Sequence, residues 1–348
     1  FFICERKSMS STYDIAVVGA TGLVGRQIIQ ILEERKFPVG RLYPLASERS
    51  AGGLIPFNHK DEEIEVLDNF DFRQVHLALF SAGGTVSAKF APKAANAGAV
   101  VIDNTSHFRN DDDIPLVVPE VNVERIAGYK ERRIIANPNC STIQMVVALK
   151  PIYDAVGIQR INVATYQAVS GAGRSALIAL SQDSVEILNS KQPENRGEQK
   201  LVAFNAVPQI AEFLDTGYTG EEMKMIWETQ KILEDQNIMI NPTCVRIPVY
   251  YGHSEAVHIE TEKKITALQA RKLLDSSPGI CLMDDWERGE YPTAGLDAAH
   301  RDEVFVGRIR EDLSHPLGLD LWIVSDNLRK GAALNSVQIA EILVDRFI

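Results

Sequence analysis

The residue in this sequence best placed to do chemistry is a cysteine in a polar turn. Asn137-Pro138-Asn139-Cys140-Ser141-Thr142 leads into a run spaced as a helix through Met145, Val147 and Leu149. A thiol at a helix N-terminus is stabilised as the thiolate by free backbone N–H groups and the positive end of the helix dipole. Most single cysteines are inert core residues, but Asn, Ser and Thr neighbours set Cys140 apart, and it reads as a candidate nucleophile. Cys4 lies in the first few residues, while Cys244 and Cys281 have apolar neighbours and read as structural. The four cysteines form no CxxC pair, so neither a disulfide framework nor a zinc site is expected.

A thiol nucleophile needs a partner, and seven histidines compete for that role. His253 is the strongest candidate. It stands in Arg246-Ile247-Pro248-Val249-Tyr250-Tyr251-Gly252-His253-Ser254, where a loop after a strand and a glycine turn can deliver an imidazole into a cleft. The plainer reading, a solvated or capping histidine, fits most single histidines.

A second constellation opens the chain. Gly19-Ala20-Thr21-Gly22-Leu23-Val24-Gly25 lies between a strand pattern and a helix pattern. Small residues there let the backbone approach a pyrophosphate at the helix N-terminus. The spacing is GxxGxxG, and a tight strand-to-helix turn with no ligand is the alternative. At the end of the second strand pattern stands Ser47-Glu48-Arg49-Ser50. An acidic residue there suits a ribose 2′-hydroxyl, whereas Arg suits a 2′-phosphate. Arg49 flanked by hydroxyls favours NADP, and Glu48 leaves a solvated Glu–Arg pair as the alternative. A nucleophile beside a hydride carrier suggests oxidoreduction of an aldehyde or acyl group through a thioester.

The elements that must position these residues follow from periodicity. Strands are expected at 13–18, from about Gly40, at 76–81 and at 99–103, alternating with helices at 23–32 and 85–96. That alternation predicts a doubly wound parallel sheet. After Cys140 a helix is expected over 141–154 and a long strand over 159–169. Strands at 254–261, 303–309 and 319–324 alternate in the manner of a mixed or antiparallel sheet with one covered face. An amphipathic last helix, 332–346, is expected to fold back on the first domain. The reading is therefore α/β: a loose extension (1–12), a Rossmann-type domain (13–139 with 327–348), and an α+β domain with a mixed sheet (140–326).

Composition closes off several classes. The 348 residues carry 36 Lys plus Arg against 47 Asp plus Glu, a net charge of −11, which disfavours nucleic acid and anionic membranes as partners. No apolar run reaches the roughly 18 residues of a membrane span, and residues 1–12 make a poor signal peptide. The cytoplasm is the expected compartment.

Taken in order, these motifs resemble the aspartate-β-semialdehyde dehydrogenases. The resemblance rests on GATGLVG (19–25), SERSAG (47–52), DNTSHFR (103–109), PNCST (138–142), YQAVSGAG (166–173), EEMK (221–224), RIPVYYGHS (246–254) and SDNLRKGAALN (325–335). It implies NADPH-dependent, reversible reduction of L-aspartyl 4-phosphate to aspartate semialdehyde and phosphate, on the route to lysine, diaminopimelate, threonine, methionine and isoleucine. By that resemblance Cys140 is the thioester nucleophile and His253 the acid/base. Gln167, Glu221 and Arg246 hold the substrate, and Arg109, Asn139 and Lys224 hold phosphate. Gly19, Thr21, Gly22, Leu23, Val24, Gly25, Arg49, Ser50, Ser170, Gly171 and Asn327 contact NADP(H). A homodimer or homotetramer is implied, with the second domain at the interface. Two alternatives stay open at this point: another thioester-forming reductase, such as an N-acetyl-glutamyl-phosphate reductase or a glyceraldehyde-phosphate dehydrogenase, and a non-catalytic copy on the same fold.

Overall fold

A computed structural model of the protein describes residues 12–193 and 200–348. The extension expected over 1–12 lies, apart from Thr12, outside the described residues, as does Cys4. The chain divides into two compact units, one ending at Asn139 and resuming with Ala332–Ile348, the other spanning Cys140–Gly331.

The first unit contains β1 (Tyr13–Val18), α1 (Leu23–Glu34), β2 (Val39–Ala46), a hairpin of β3 (Leu54–Phe57) and β4 (Lys60–Glu63), and β5 (Glu65–Val66). There follow β6 (Leu77–Phe80), α2 (Gly84–Asn96), β7 (Val100–Asp103), α3 (Pro119–Asn122) and β8 (Ile134–Ala136). The second unit contains α4 (Cys140–Val156), β9 (Ile158–Gln167), α5 (Arg174–Leu188), α6 (Gly220–Leu233), β10 (Met239–Arg246), β11 (His253–Thr261), α7 (Ala267–Asp275), β12 (Ile280–Leu282), β13 (Val304–Glu311) and β14 (Gly318–Ser325). The last helix, α8 (Leu334–Arg346), belongs to the first unit.

In the first unit six parallel strands run in the order β5-β2-β1-β6-β7-β8. With the β3–β4 hairpin set aside, this is the 3-2-1-4-5-6 order of a dinucleotide-binding sheet. Helices cover both faces, so β1, β6 and β7 read as unbroken apolar runs; Ile15–Val18 and Leu77–Phe80 are wholly buried. The amphipathic α1 buries Ile28, Ile29, Ile31 and Leu32. On α8, Leu334, Val337, Ala340 and Leu343 join the same core, as the sequence predicts for the last helix. The strand order reverses between β1 and β6, which places Gly19 and Ala82 together at the crevice where such sheets bind ligands.

The second unit is built on a mixed sheet, β10-β9-β11-β14-β13-β12, parallel at its two outer pairs and antiparallel inside. Alternation along β9 buries Ile161, Val163, Thr165 and Gln167, and β11 buries His253, Glu255, Val257 and Ile259. The sequence reading gives no bounds for β10, which is an edge strand, where the missing N–H of Pro242 is tolerated. Helices α5, α6 and α7 are also absent from it. The capping box of α6, Thr219 with Glu222, was nonetheless readable as a helix start. His253 is the first residue of β11, paired with Ser325 of β14, and not a loop residue.

Candidate active site

In the first unit, the Gly19–Gly25 turn is built for close approach. Gly19 has φ +85°, and a side chain on it would press Ala82 at 3.0 Å. A Cβ on Gly25 would lie 2.2 Å from the Gly19 carbonyl oxygen, so the turn closes only with glycine there. Gly22 N–H donates to Gly19 O and Arg26 N–H to Gly22 O. The amides of Leu23, Val24 and Gly25 have no acceptor among the described residues. Three free N–H groups at a helix start make an anion seat, and they fit the pyrophosphate of a nicotinamide dinucleotide. Thr21 lies inside this turn.

Arg49 is exposed in a short helical turn, Glu48–Ser50, directly after β2; Ser50 is half-buried. Among the described residues Arg49 makes no ion pair, with Glu48 or any other group. Arg109 is buried, with Nη2 donating to Asn104 O at 2.7 Å. Its loop hangs on Asp103, which accepts from Ser87 Oγ at 2.8 Å and from Thr105 N and Oγ1 at 3.0 and 2.8 Å. Burial pushes the Asp103 carboxyl upward, and those three bonds and Arg109 offset part of the effect. Asn139, also buried, is the last residue of this unit before α8.

In the second unit, Cys140 is the half-buried first residue of α4. Gly331 lies against it: a Cβ there would meet Cys140 Cβ at 2.8 Å. Ala168, just after β9, is the hub of the remaining groups. Its N–H donates to His253 Nδ1 at 3.0 Å, and its carbonyl accepts from Arg246 Nη1 at 2.6 Å. Arg246 ends β10 and Gln167 ends β9, so strand ends deliver both. Gln167 Nε2 donates to Ser141 Oγ at 2.9 Å and reaches Thr165 Oγ1 and Glu221 Oε1 at 3.3 and 3.5 Å. Glu221, in the first turn of α6, pairs with Lys224 at 3.2 Å.

The electrostatics follow from burial. Arg246 loses part of its guanidinium basicity to desolvation, against attraction from Cys140 and Glu221. His253 is wholly buried, and desolvation with the neighbouring Arg246 charge lowers its pKa to about 3. The imidazole is therefore neutral. Because Nδ1 accepts the Ala168 N–H, the ring proton sits on Nε2, which has no acceptor among the described residues.

Gly171 packs beside this pair; a Cβ on it would lie 3.3 Å from Arg246 Nη1 and 3.7 Å from His253 Nε2. Asn327 Oδ1 accepts from Gly252 N at 3.0 Å and exchanges hydrogen bonds with Ser170 Oγ. The side chains of Ser170 and Asn327 thus brace the turn that presents His253. Sequence reasoning missed Ala168, Gly331, Gln144 and Glu255. The last two had a signal in spacing, Gln144 four residues after Cys140 and Glu255 two after His253. The first two had none, since their part is played by a backbone and by an absent side chain.

Two family descriptions match the chain in tandem: the semialdehyde dehydrogenase NAD binding domain over residues 14–129 and the semialdehyde dehydrogenase dimerisation domain over 149–330. The class is thus a two-domain oxidoreductase that uses a nicotinamide cofactor. Aspartate-semialdehyde dehydrogenase of Legionella pneumophila is 58% identical over 342 residues, covering 98% of each chain. The structure of aspartate semialdehyde dehydrogenase II from Vibrio cholerae complexed with ASA is 56% identical, with a TM-score of 0.95 over 97% of this chain and 100% of that one. That of the Candida albicans enzyme with NADP is 26% identical, with a TM-score of 0.74 over 96% and 99%. The chain belongs to the aspartate-semialdehyde dehydrogenase family.

Proposed function

We propose that the protein reduces L-aspartyl 4-phosphate reversibly to aspartate semialdehyde and phosphate with NADPH, through a thioester on Cys140. The observation that carries this reading is the gathering of a cationic, an acidic and an amide side chain, Arg246, Glu221 and Gln167, beside a helix-start cysteine. Arg246 offers a fork to an α-carboxylate, Glu221 faces an α-amino group, and Gln167 orients the acyl chain. The Cys140 thiolate displaces phosphate, which the cationic groups of Arg109 and Lys224 receive with Asn139. Acyl phosphates carry a good leaving group, so this displacement needs no further activation. A nicotinamide held at the Gly19–Gly25 turn would supply or accept the hydride.

The acid/base role that the resemblance implies for His253 narrows to donation. With its proton on Nε2, the ring is a ready donor to the oxyanion that forms on the thioester carbon. That oxyanion then collapses, releasing aldehyde and the Cys140 thiolate, with no proton taken by the ring. Arg49 and Ser50 are assigned to the 2′-phosphate. The dimerisation-domain match and the open face of the mixed sheet, with Tyr166, His258 and Trp322 half-buried on it, support pairing of two copies. No helix among the described residues is long and apolar enough to cross a membrane, and we assign the enzyme to amino-acid biosynthesis in the cytoplasm.

The test is spectrophotometric. Purified protein should reduce NADP⁺ with aspartate semialdehyde only when phosphate is present, and prefer that substrate to N-acetylglutamate semialdehyde. Cys140→Ala should abolish turnover with the fold intact. A phosphate-independent rate, or turnover in that variant, would overturn the thioester route.

A further inference from the structure

Beneath Cys140 and His253 lies a second pair of polar residues that the proposed reaction does not use. Gln144 follows Cys140 by four residues on α4, and Glu255 follows His253 by two on β11. One helical step of four and one strand step of two each advance about 6 Å along their elements, and the Gln144 side chain meets Glu255. Gln144 Nε2 reaches the backbone carbonyl of His253 at 3.5 Å, which joins the helix of the nucleophile to the strand of the imidazole.

Glu255 is fully buried, and neither of its carboxyl oxygens has a hydrogen-bond partner among the described residues. The Gln144 side chain reaches it, and Gln144 Oε1 also lacks a donor among the described residues. The Gln144 side chain favours the ionised carboxyl, but burial outweighs it. One proton on Glu255 would supply a donor that Gln144 Oε1 lacks, which an ionised carboxylate cannot do. We propose that Glu255 is a positioning residue that carries its proton in the working enzyme and, as a neutral acid paired with Gln144, fixes the helix of Cys140 against the strand of His253.

The surroundings agree with a neutral group. Across the sheet Glu255 meets Thr165 on β9 and Ile323 on β14, neither of which titrates. The charged and titratable groups nearby are Cys140 on α4, His253 on β11, Cys244 and Arg246 on β10, and Glu221 and Glu222 on α6. No cation is coupled to Glu255 among the described residues, and burial raises its carboxyl well above the ordinary 4.5, outweighing the opposing influence of the Gln144 side chain. An ionised Glu255 would add to the negative field that Glu221 and Glu222 place on Cys244.

The inference rests on reading Cys140 as the nucleophile, but two of its tests need no turnover. Infrared difference spectra of wild type against Glu255→Gln at pH 7 should contain the carbonyl stretch of a carboxylic acid; a carboxylate pair of bands overturns the proposal. The second test is thermal unfolding. Unfolded chain ionises Glu255 above about pH 4.5 while the folded protein keeps the proton, so wild type loses stability as pH rises and Glu255→Gln does not. The difference in Tm should widen in favour of Glu255→Gln from pH 5 to pH 8, and a constant or narrowing gap overturns protonation. With turnover established, Glu255→Gln should keep kcat within about threefold, whereas Glu255→Leu should lower kcat about tenfold or more with KM for the semialdehyde little changed. Loss of activity in folded Glu255→Gln overturns the neutral role. Rates of Cys140 alkylation by iodoacetamide should follow the same order, so failure of the proposed reaction and failure of this inference remain separable.

Discussion

Gly331 touches Cys140: a Cβ on the glycine would lie 2.8 Å from the cysteine Cβ, well inside van der Waals contact. The glycine sits in a widened helical turn, Arg329–Ala333, whose long bond runs from Gly331 N to Asp326 O at 3.1 Å. Such turns recur at functional sites. Gly331→Ala should therefore push the thiol out of place. The expected result is a fall in kcat of about 10- to 100-fold, as for a displacement of about 1 Å, with slower alkylation of Cys140 and a folded protein. Wild-type alkylation rates in that variant would remove Gly331 from the account.

Ala168 offers a second probe, because its φ is already −66°. Proline can adopt that angle while removing the N–H that His253 Nδ1 accepts. In Ala168→Pro the imidazole loses the partner that fixes its proton on Nε2. We expect kcat to drop at least tenfold, by the worth of a preorganised donor, with KM for the semialdehyde less affected. Circular dichroism checks the fold, and an unchanged kcat would sink the tautomer assignment.

The buried imidazole also sets a pH dependence. Its folded pKa is depressed to about 3 from an ordinary 6.5, so unfolded chain binds a proton that the folded protein excludes. Stability from this group is complete above pH 6.5 and declines as pH falls toward 3, by at most about 1.4 kcal/mol per pH unit. His253→Asn should flatten that decline in denaturant titrations between pH 4 and pH 7. An equal slope in both proteins would show that the ring titrates normally.

Arg49 stands exposed after β2 with no ion-pair partner among the described residues. Arg49→Glu should weaken NADP⁺ binding about tenfold or more, in keeping with loss of a charge-assisted pair, and leave NAD⁺ nearly unaffected. Cofactor titrations by fluorescence measure both, and equal losses refute the 2′-phosphate assignment.

Most of the first unit was legible because its signals are local. The apolar run at Tyr13–Val18, the glycine turn and the period of α1 each state their own structure, and the parallel sheet is the one that such alternation implies. Polar helices such as α5 and α6 carry weaker periodicity, and Pro242 conceals an edge strand. His253 was found by residue type and misplaced by context, since a glycine turn does not say whether a loop or a strand follows.

The sequence alone determined which residues can react: a thiol at a helix start, an imidazole, and a set of basic side chains on an acidic chain. Residue type is a property of the chain. Which nitrogen of His253 holds the proton, which carboxyl stays neutral and why position 331 holds glycine were decided only by the tertiary structure. Each depends on a partner distant in sequence: Ala168 is 85 residues from His253, and Gln144 is 109. Proton placement follows from burial and from the donor that faces the group, and only folding brings those together.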